Sequence, residues 1–214
     1  MIDAIVKLIK SKHNKPIFIC LLYPISQSHP PIHMTDQIHI FDDFLTQEEI
    51  QRCVDATNRP AWSMSQISHS SPDSTPFWMM ALTDDPFFNS HLKSKIETTT
   101  NRKFAVQRIY ANGQTFGQDG TYHRDSALDN SYTFCLYING ENNIYSTDDI
   151  GGEFIFKIPE NFNNPLSRIM IPTYYNRGIF FPATYLHKGM AFNRYFKGLR
   201  ISITWKLLAS QIDI

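Results

Sequence analysis

A histidine and an aspartate two residues apart, His123 and Asp125, are well suited to hold one metal ion. Side chains at positions i and i+2 of a strand point to the same side, so an imidazole and a carboxylate can reach a common ion. A non-haem Fe(II) site of the facial type needs one more histidine and leaves coordination positions open. His187, at the end of the apolar stretch FFPATYL, is the candidate. The sequence therefore predicts a metal site made by His123, Asp125 and His187.

The same stretch allows a second interpretation. His123, Asp125 and Asn130 fit the HRDxxxxN pattern of a protein-kinase catalytic loop. The sequence has no GxGxxG turn, no lysine in a VAIK-like strand, and neither DFG nor APE, and 214 residues barely accommodate two kinase lobes. We therefore reject the kinase. Because an isolated H-x-D match is common by chance, the metal hypothesis depends on the elements around it.

Composition excludes several classes of protein. Aromatic residues make up 14% of the chain and charged residues 19%, which is typical of a globular protein and not of a disordered one. Lysine plus arginine and aspartate plus glutamate both total 20, so the overall charge does not favour a nucleic-acid partner. The three cysteines (Cys20, Cys53 and Cys135) are too few and too scattered for a disulfide framework. We expect a cytoplasmic protein with no nucleic-acid and no membrane partner.

The first 33 residues differ from the rest of the chain. They carry four lysines against one aspartate, followed by an apolar run over 16–25. That run is far shorter than the roughly 20 residues of a spanning helix, and no A-x-A-like cleavage site follows it. We expect an N-terminal extension (1–33) and one domain (34–214). An ordered strand and helix that pack on the core are the alternative for the extension.

Helix signals come first in the predicted domain. A short strand at 38–41 precedes a capping box of Thr46 and Glu49, which opens a helix that stops at Asn58. A buried strand is expected at 77–82 and a second helix at 88–98. The serine-rich segment between them, 63–76, is expected to be a mobile loop.

The rest of the domain has the character of strands. Six segments are short, rich in β-branched or aromatic residues and bounded by turn residues: 104–111, 132–139, 153–158, 167–172, 178–183 and 198–208. In the last of them Arg200, Ser202 and Thr204 alternate with apolar residues, so one face is apolar and the other lines something polar. Helices followed by strands predict a mainly β protein of the α+β type, a sandwich or barrel with the helices packed outside it.

Taken in order, these motifs resemble the Fe(II)- and 2-oxoglutarate-dependent dioxygenases, and among them the prolyl 4-hydroxylase-like branch. The resemblance runs from Ile38 to Lys206. Its pieces are IHIFDDFLTQEEI, RIYANGQ before HRD, YTFCLYING, GGEFIF, GIFFPATYLH and GLRISITW. Each piece is weak by itself, but their common order is a strong signal. The resemblance implies a double-stranded β-helix, the cupin-like jelly roll, with N-terminal helices outside it.

The resemblance also assigns roles to individual residues. His123, Asp125 and His187 match the iron ligands, and Arg200 matches the basic residue that binds the distal carboxylate of 2-oxoglutarate. The residues that match or could complete the co-substrate pocket are Tyr110, Tyr137, Ser202 and Thr133. The implied cofactors are Fe(II), 2-oxoglutarate and O2, with ascorbate as the reductant. A guanidinium suits the anchoring role because it binds carboxylates through two nitrogens and stays charged when buried.

Two spacings depart from the branch. Arg200 follows His187 by thirteen positions, which is longer than usual, and Lys197 lies where some members carry their basic residue. Side-chain alternation and the RIS context favour Arg200 over Lys197. The turn over 111–121 is also enlarged and is expected at the mouth of the site, with the loops 63–76 and 139–151 around the entrance.

The resemblance implies a hydroxylase that releases succinate and carbon dioxide. Asp125 favours hydroxylation, because a halogenase of this family leaves that coordination position to chloride. The branch suggests a prolyl residue in a peptide or protein as the substrate. A free amino acid or another small molecule remains an alternative, since the fold does not decide the substrate. A non-catalytic jelly-roll binding module is the rival class.

Overall fold

The computed structural model describes residues 37–68, 74–140, 150–157 and 168–210, and the backbone of two strands before them, β1 (Ile2–Lys10) and β2 (Pro16–Pro24). β1 and β2 pair antiparallel in a sheet of their own. The backbone of the apolar run at 16–25 is thus largely a strand. The segment 25–36 lies outside the described residues, and the division of the chain at residue 33 stays a prediction.

Two helical segments cover one side of the molecule. Helix α1 (Gln47–Thr57) begins with the predicted capping box, in which Thr46 and Glu49 each bind the other's backbone N–H, and it ends at Asn58. The second segment starts as a π-helical turn (Phe87–Leu92) and continues as α2 (Lys93–Thr100). The segment lies where the sequence predicted a helix, over 88–98. The π-helical first turn was not predicted. No described helix is long and apolar enough to cross a membrane.

Antiparallel strands form the rest of the molecule. Their bounds are β3 (His39–Phe41), β4 (Ser63–Gln66), β5 (Phe77–Ala81), β6 (Phe104–Gln114), β7 (Ser131–Tyr137), β8 (Phe154–Lys157), β9 (Arg168–Ile171), β10 (Arg177–Pro182), β11 (His187–Gly189) and β12 (Arg200–Ala209). The main sheet has the order β3-β10-β7-β12-β6-β5-β4, and the smaller sheet has the order β11-β8-β9. The protein is therefore mainly β with a jelly-roll core, as the sequence predicted.

The alternation of β12 separates two layers of side chains. Ile203, Trp205 and Leu207 join a core beneath the helices, together with Phe88 and Phe134. A second core lies between the sheets and contains residues of both, among them Phe154, Phe156, Ile179 and Phe181. Because successive side chains of a strand point to opposite faces, the polar residues of β12 open toward the space between the sheets.

Two elements differ from the sequence prediction. Part of the serine-rich segment that we expected to be a loop is strand β4, which pairs with β5 at the edge of the main sheet. Backbone pairing with a neighbour stabilises this edge strand, although its local sequence is poor in strand-forming residues. Residues 69–73 lie outside the described part of the chain. The second difference is the three-residue strand β11. No local sequence pattern predicts this strand, because it is defined by its pairing with β8.

Candidate active site

Three potential metal ligands converge at one end of the space between the sheets. The ligating atoms of His123, Asp125 and His187 all lie within 4.8 Å of one another. His187 opens β11, and His123 forms a backbone bridge to it, so the two imidazoles lie side by side with ring centroids 4.5 Å apart. The pairing of these two backbone segments brings together histidines that are far apart in the sequence.

Backbone carbonyls orient both imidazoles. Nδ1 of His123 lies 2.9 Å from the carbonyl oxygen of Thr121, and Nδ1 of His187 lies 2.8 Å from that of Tyr185. A carbonyl oxygen can only accept a hydrogen bond, so Nδ1 carries a proton in both rings, and in the neutral imidazole the lone pair then lies on Nε2. The Nε2 atoms of His123 and His187 lie 3.3 and 3.5 Å from the Asp125 carboxylate. This tautomer is the one that ligates a metal through Nε2.

Two donors hold one oxygen of the Asp125 carboxylate. The Thr133 hydroxyl donates to Oδ2 at 2.6 Å, and the Lys206 ammonium forms an ion pair with the same oxygen. Burial alone would raise the pKa of Asp125, but Lys206 and the two imidazoles outweigh burial and hold that pKa well below its usual value. Asp125 is therefore an oriented carboxylate anion, and its Oδ1 remains directed toward His123.

The environment of His187 keeps its imidazole neutral. Burial among Phe154, Phe156 and Phe181 lowers the pKa of His187 to about 4, although the Asp125 charge acts in the opposite direction. A neutral imidazole is the form that binds a metal. The apolar rings thus prepare His187 as a ligand at neutral pH.

Arg200 lies at the other end of the same space. Its side chain is buried, with Nε donating to the carbonyl of Gly152 at 3.1 Å and Nη1 to Oε1 of Gln114 at 2.8 Å. Its Nη2 is buried without a hydrogen-bond partner in the described part of the chain, and so is the hydroxyl of Tyr137. The guanidinium carbon lies 5.0 Å from the Tyr137 ring centroid. Two unsatisfied donors, one of them on a cation, are thus buried side by side.

Gly152 brings its carbonyl to Arg200 by a backbone conformation that favours glycine. Its φ is +83°, and a Cβ atom at this position would lie 2.4 Å from the Phe192 ring. Glycine adopts this left-handed conformation without the steric cost that other residues meet. The GG pair before β8 is therefore part of the anchor for Arg200.

A cavity of about 390 Å³ joins the metal-ligating cluster to Arg200. The lining side chains of β12 are Arg200, Ser202, Thr204 and Lys206, which are every second residue of that strand. On the neighbouring strand β6 the lining side chains opposite them are Gln114, Asn112, Tyr110 and Arg108. Two adjacent strands thus provide a continuous polar wall from the Arg200 end to the Asp125 end.

The structure brings most of the predicted site residues to this cavity. Tyr110, Tyr137 and Ser202 line it, whereas Thr133 binds Asp125 through its hydroxyl. Lys197 lies in an exposed turn, where its ammonium donates to the carbonyl of Arg194. Binding of a carboxylate by Arg200 through two nitrogens was expected. In the structure, however, the Gly152 carbonyl and the Gln114 side chain already accept hydrogen bonds from two of the three guanidinium nitrogens.

Sequence reasoning missed Lys206, Gln114 and Arg108. The alternation of β12, continued by two residues beyond Thr204, would have placed Lys206 on the polar face. The same alternation from Tyr110 would have placed Arg108 and Gln114 beside it. Only the strand register shows that Lys206 lies opposite Arg108 and beside Thr133.

Comparison with known proteins gives a match at the level of the fold. No family model and no curated protein matches the sequence. Among solved structures, a prolyl hydroxylase from Trichoplax adhaerens, in complex with a hypoxia-inducible-factor peptide, matches with a TM-score of 0.61 and 15% identity over 81% of this chain and 84% of that one. An oxidoreductase of the 2OG-Fe(II) oxygenase family from Burkholderia pseudomallei matches with a TM-score of 0.61 and 13% identity, over 81% and 85% of the two chains.

The chain has the fold of the 2-oxoglutarate- and Fe(II)-dependent oxygenases. The prolyl hydroxylase is one of several kinds of structure that match. The non-haem α-ketoglutarate-dependent epimerase SnoN from nogalamycin biosynthesis matches with a TM-score of 0.58 and 11% identity, over 80% of this chain and 76% of that one.

The described residues fit the two groups that this oxygenase fold implies. Two imidazoles and one carboxylate, each oriented by a hydrogen bond to its remaining atom, form a donor set for Fe(II). The unpartnered Arg200 Nη2 and Tyr137 hydroxyl match the needs of a carboxylate, which accepts several hydrogen bonds. A dicarboxylate such as 2-oxoglutarate would satisfy both buried donors at its distal end.

Proposed function

We propose that this protein is an Fe(II)- and 2-oxoglutarate-dependent dioxygenase that hydroxylates its substrate. One observation carries the proposal: the His123, Asp125 and His187 cluster and the unpartnered donors of Arg200 and Tyr137 line opposite ends of one cavity. A metal site alone would fit many proteins. The anion-binding end supplies the second half of a site for a metal and a dicarboxylate.

The chain's own residues divide the work between them. His123, Asp125 and His187 would hold the metal, while Thr133 and Lys206 keep the carboxylate in its orientation. Arg200 and Tyr137 would hold the distal carboxylate of 2-oxoglutarate, and Gln114 and the Gly152 carbonyl fix the guanidinium. When bound, iron and 2-oxoglutarate supply an oxidation by dioxygen that is coupled to release of succinate and carbon dioxide.

The substrate proposed from the sequence is a prolyl residue in a peptide or protein. The sequence motifs and the match to a prolyl hydroxylase support it. The match to an epimerase supports small-molecule substrates to the same degree, because both matches are at the level of the fold. A non-catalytic binding module is the less favoured alternative, since every group of the ligand set and of the Arg200 anchor is present.

Succinate formation tests the proposed function directly. The purified protein, given Fe(II), 2-oxoglutarate, ascorbate and air, should form succinate slowly without a substrate and faster with a suitable one, such as a proline-rich peptide. His123→Ala should abolish this activity because it removes a ligand. Lys197→Ala is the matched control on the exposed turn.

A wild-type protein that binds Fe(II) and 2-oxoglutarate but forms no succinate with any substrate tried would support the binding module. A wild-type protein that binds no divalent metal would contradict the metal site itself. Omitting ascorbate from the assay tests the expected reductant in the same experiment.

A further inference from the structure

We propose that the substrate carries a carboxylate, and that Lys206 and Arg108 bind it at the metal end of the cavity. This inference rests on the proposed function and adds the chemical class of the substrate. It concerns Lys206 and Arg108, the part of the cavity wall that has no proposed role in holding the distal carboxylate of 2-oxoglutarate.

The charges along the cavity are unbalanced. Among the described residues that line the cavity, Asp125 is the one carboxylate. The same lining contains four lysine or arginine side chains: Lys206, Arg108, Arg124 and Arg200. The distal carboxylate of 2-oxoglutarate accounts for Arg200, and a divalent metal accounts for the Asp125 charge. Three cations therefore remain at the metal end with no acidic group among the described lining residues to neutralise them.

Lys206 and Arg108 lie opposite each other across the β12–β6 register. The Lys206 ammonium lies 5.9 Å and the Arg108 guanidinium carbon 4.3 Å from the centroid of the same ring, that of Tyr110. The Gln66 side chain accepts a hydrogen bond from Arg108 at 2.9 Å, which steadies the guanidinium. A shared aromatic surface and a fixed hydrogen bond thus hold two cations in place at the cavity wall.

Lys206 is the more constrained of the two. Its side chain is 18% exposed, and among the described residues its ammonium pairs with Asp125. An ammonium has three donors, and a largely buried charge is costly unless it is paired and hydrogen-bonded. A metal ion on Oδ1 would leave Lys206 on Oδ2 but would neutralise the Asp125 charge. The remaining donors of the Lys206 ammonium would then need a further anionic partner.

A carboxylate fits this partner better than a neutral group does. Arg108 presents a planar guanidinium, which binds carboxylates through paired hydrogen bonds, and Lys206 adds a point charge beside it. A neutral substrate would leave Lys206 and Arg108 without a further counter-charge once the metal has neutralised Asp125. Because the Lys206 charge is largely buried, leaving it uncompensated is costly, and the site therefore favours an anionic substrate.

Acetate is the probe that tests the carboxylate site. Protein loaded with Mn(II) and 2-oxoglutarate under argon is titrated with ¹³C-acetate, and the paramagnetic relaxation of the carboxylate carbon is measured. Acetate should bind close to the metal, while acetamide, its neutral counterpart, should bind about tenfold more weakly or not at all. Arg108→Gln and Lys206→Gln should each weaken acetate binding by about tenfold or more. Lys197→Gln should leave it unchanged.

Each outcome of this titration decides the inference. No acetate near the metal in the wild type, or acetate binding that neither Arg108→Gln nor Lys206→Gln weakens, would overturn it. Arg108 is exposed, so its variant remains informative if Lys206→Gln fails to fold. Mn(II) binding is first verified by electron paramagnetic resonance. Failure at that step would overturn the proposed function and this inference together, whereas failure at the acetate step would overturn this inference alone.

The source of the carboxylate is distinguished by activity. Succinate formation is measured with free L-proline, with L-prolinamide and with a proline peptide that carries a neighbouring glutamate. Stimulation by L-proline but not by L-prolinamide would assign a small acid, and stimulation by the acidic peptide would assign an acidic side chain. A neutral peptide that stimulates fully, with no loss in Arg108→Gln, would overturn the inference.

Discussion

Individual residues at this site are held by partners that leave one functional atom free. Nδ1 of His123 and of His187 is taken by a backbone carbonyl, and Oδ2 of Asp125 is taken by Thr133 and Lys206. The atoms that remain are the two Nε2 atoms and Oδ1. This arrangement restricts how each ligand can turn, and small displacements of a ligand are therefore expected to have large effects.

Asp125→Glu is a sensitive test of this geometry. It keeps the charge but moves the carboxylate by one methylene, about 1 Å, which is enough to cost about a hundredfold in rate. We expect succinate formation to fall by about that factor, while Mn(II) still binds. Asp125→Ala should lose both metal binding and activity. Equal activity in Asp125→Glu and the wild type would contradict the role of Asp125.

Arg200→Ala should weaken binding of 2-oxoglutarate by about 2 to 4 kcal/mol, because it leaves a buried carboxylate without its charged partner. Isothermal titration of 2-oxoglutarate into the Mn(II)-loaded protein measures this difference. Lys197→Ala should change the affinity little, because Lys197 lies in an exposed turn. The opposite result, with only the lysine variant impaired, would show that Lys197 anchors the co-substrate.

At the scale of elements, Glu49 joins α1 to the second helical segment. Its carboxylate accepts from the backbone N–H of Thr46 at 2.8 Å, forms an ion pair with Lys95 and lies 2.8 Å from Nε2 of His91. Burial opposes ionisation, but these partners outweigh it and lower the pKa of Glu49 to about 2. The contribution of Glu49 to the free energy of unfolding is thus fully present above pH 4.5, the pKa of this carboxyl in the unfolded chain. The contribution is lost as the pH falls toward 2.

Glu49→Gln should therefore lower the free energy of unfolding by about 2 kcal/mol at pH 7, after allowance for the partly exposed partners. Glutamine preserves the capping box, so the difference reports the charge. Urea unfolding at several pH values between 7 and 3 should show the difference shrinking below about pH 4.5. Glu48→Gln, in the same helical turn but exposed, is the control. A difference that stays constant with pH would contradict this account.

At the scale of the whole molecule, a buried ion pair joins segments that are 135 residues apart. Arg177, at the start of β10, donates through Nε to Oδ1 of Asp42 at 2.6 Å and through Nη2 to Oδ2 at 3.1 Å. Both side chains are almost fully buried, and Arg177 also donates to the carbonyl of Pro172 at 3.0 Å. The pair connects the chain after β3 to the inner part of the main sheet.

Asp42→Asn should lower the free energy of unfolding by about 3 to 5 kcal/mol, because it leaves the Arg177 charge buried without its counter-charge. Adding Arg177→Met should restore part of the loss, since a buried apolar side chain carries no desolvation cost of that kind. Chemical denaturation of the single and double variants measures both effects. A double variant less stable than Asp42→Asn alone would contradict this explanation.

The local sequence was sufficient to predict much of the fold. The capping box of Thr46 and Glu49 depends on contacts within one helical turn, and the side-chain alternation of β12 depends on backbone geometry alone. For the same reason the polar face of Arg200, Ser202 and Thr204 could be assigned without knowledge of the neighbouring strands. Strand β4 could not be predicted in this way, because pairing with β5 defines it.

For the candidate site, the sequence by itself determined the types of ligand and the order of the motifs. The tertiary structure decided which atoms meet. The bridge between the backbones of His123 and His187, the burial that keeps His187 neutral, and the placement of Lys206 beside Asp125 all depend on contacts between segments distant in the chain. Local patterns do not encode the register between strands, and register decides which side chains lie opposite one another. Alternation along each strand places Lys206 and Arg108 on a polar face, but the position of Lys206 opposite Arg108 and beside Asp125 became visible only in the folded molecule.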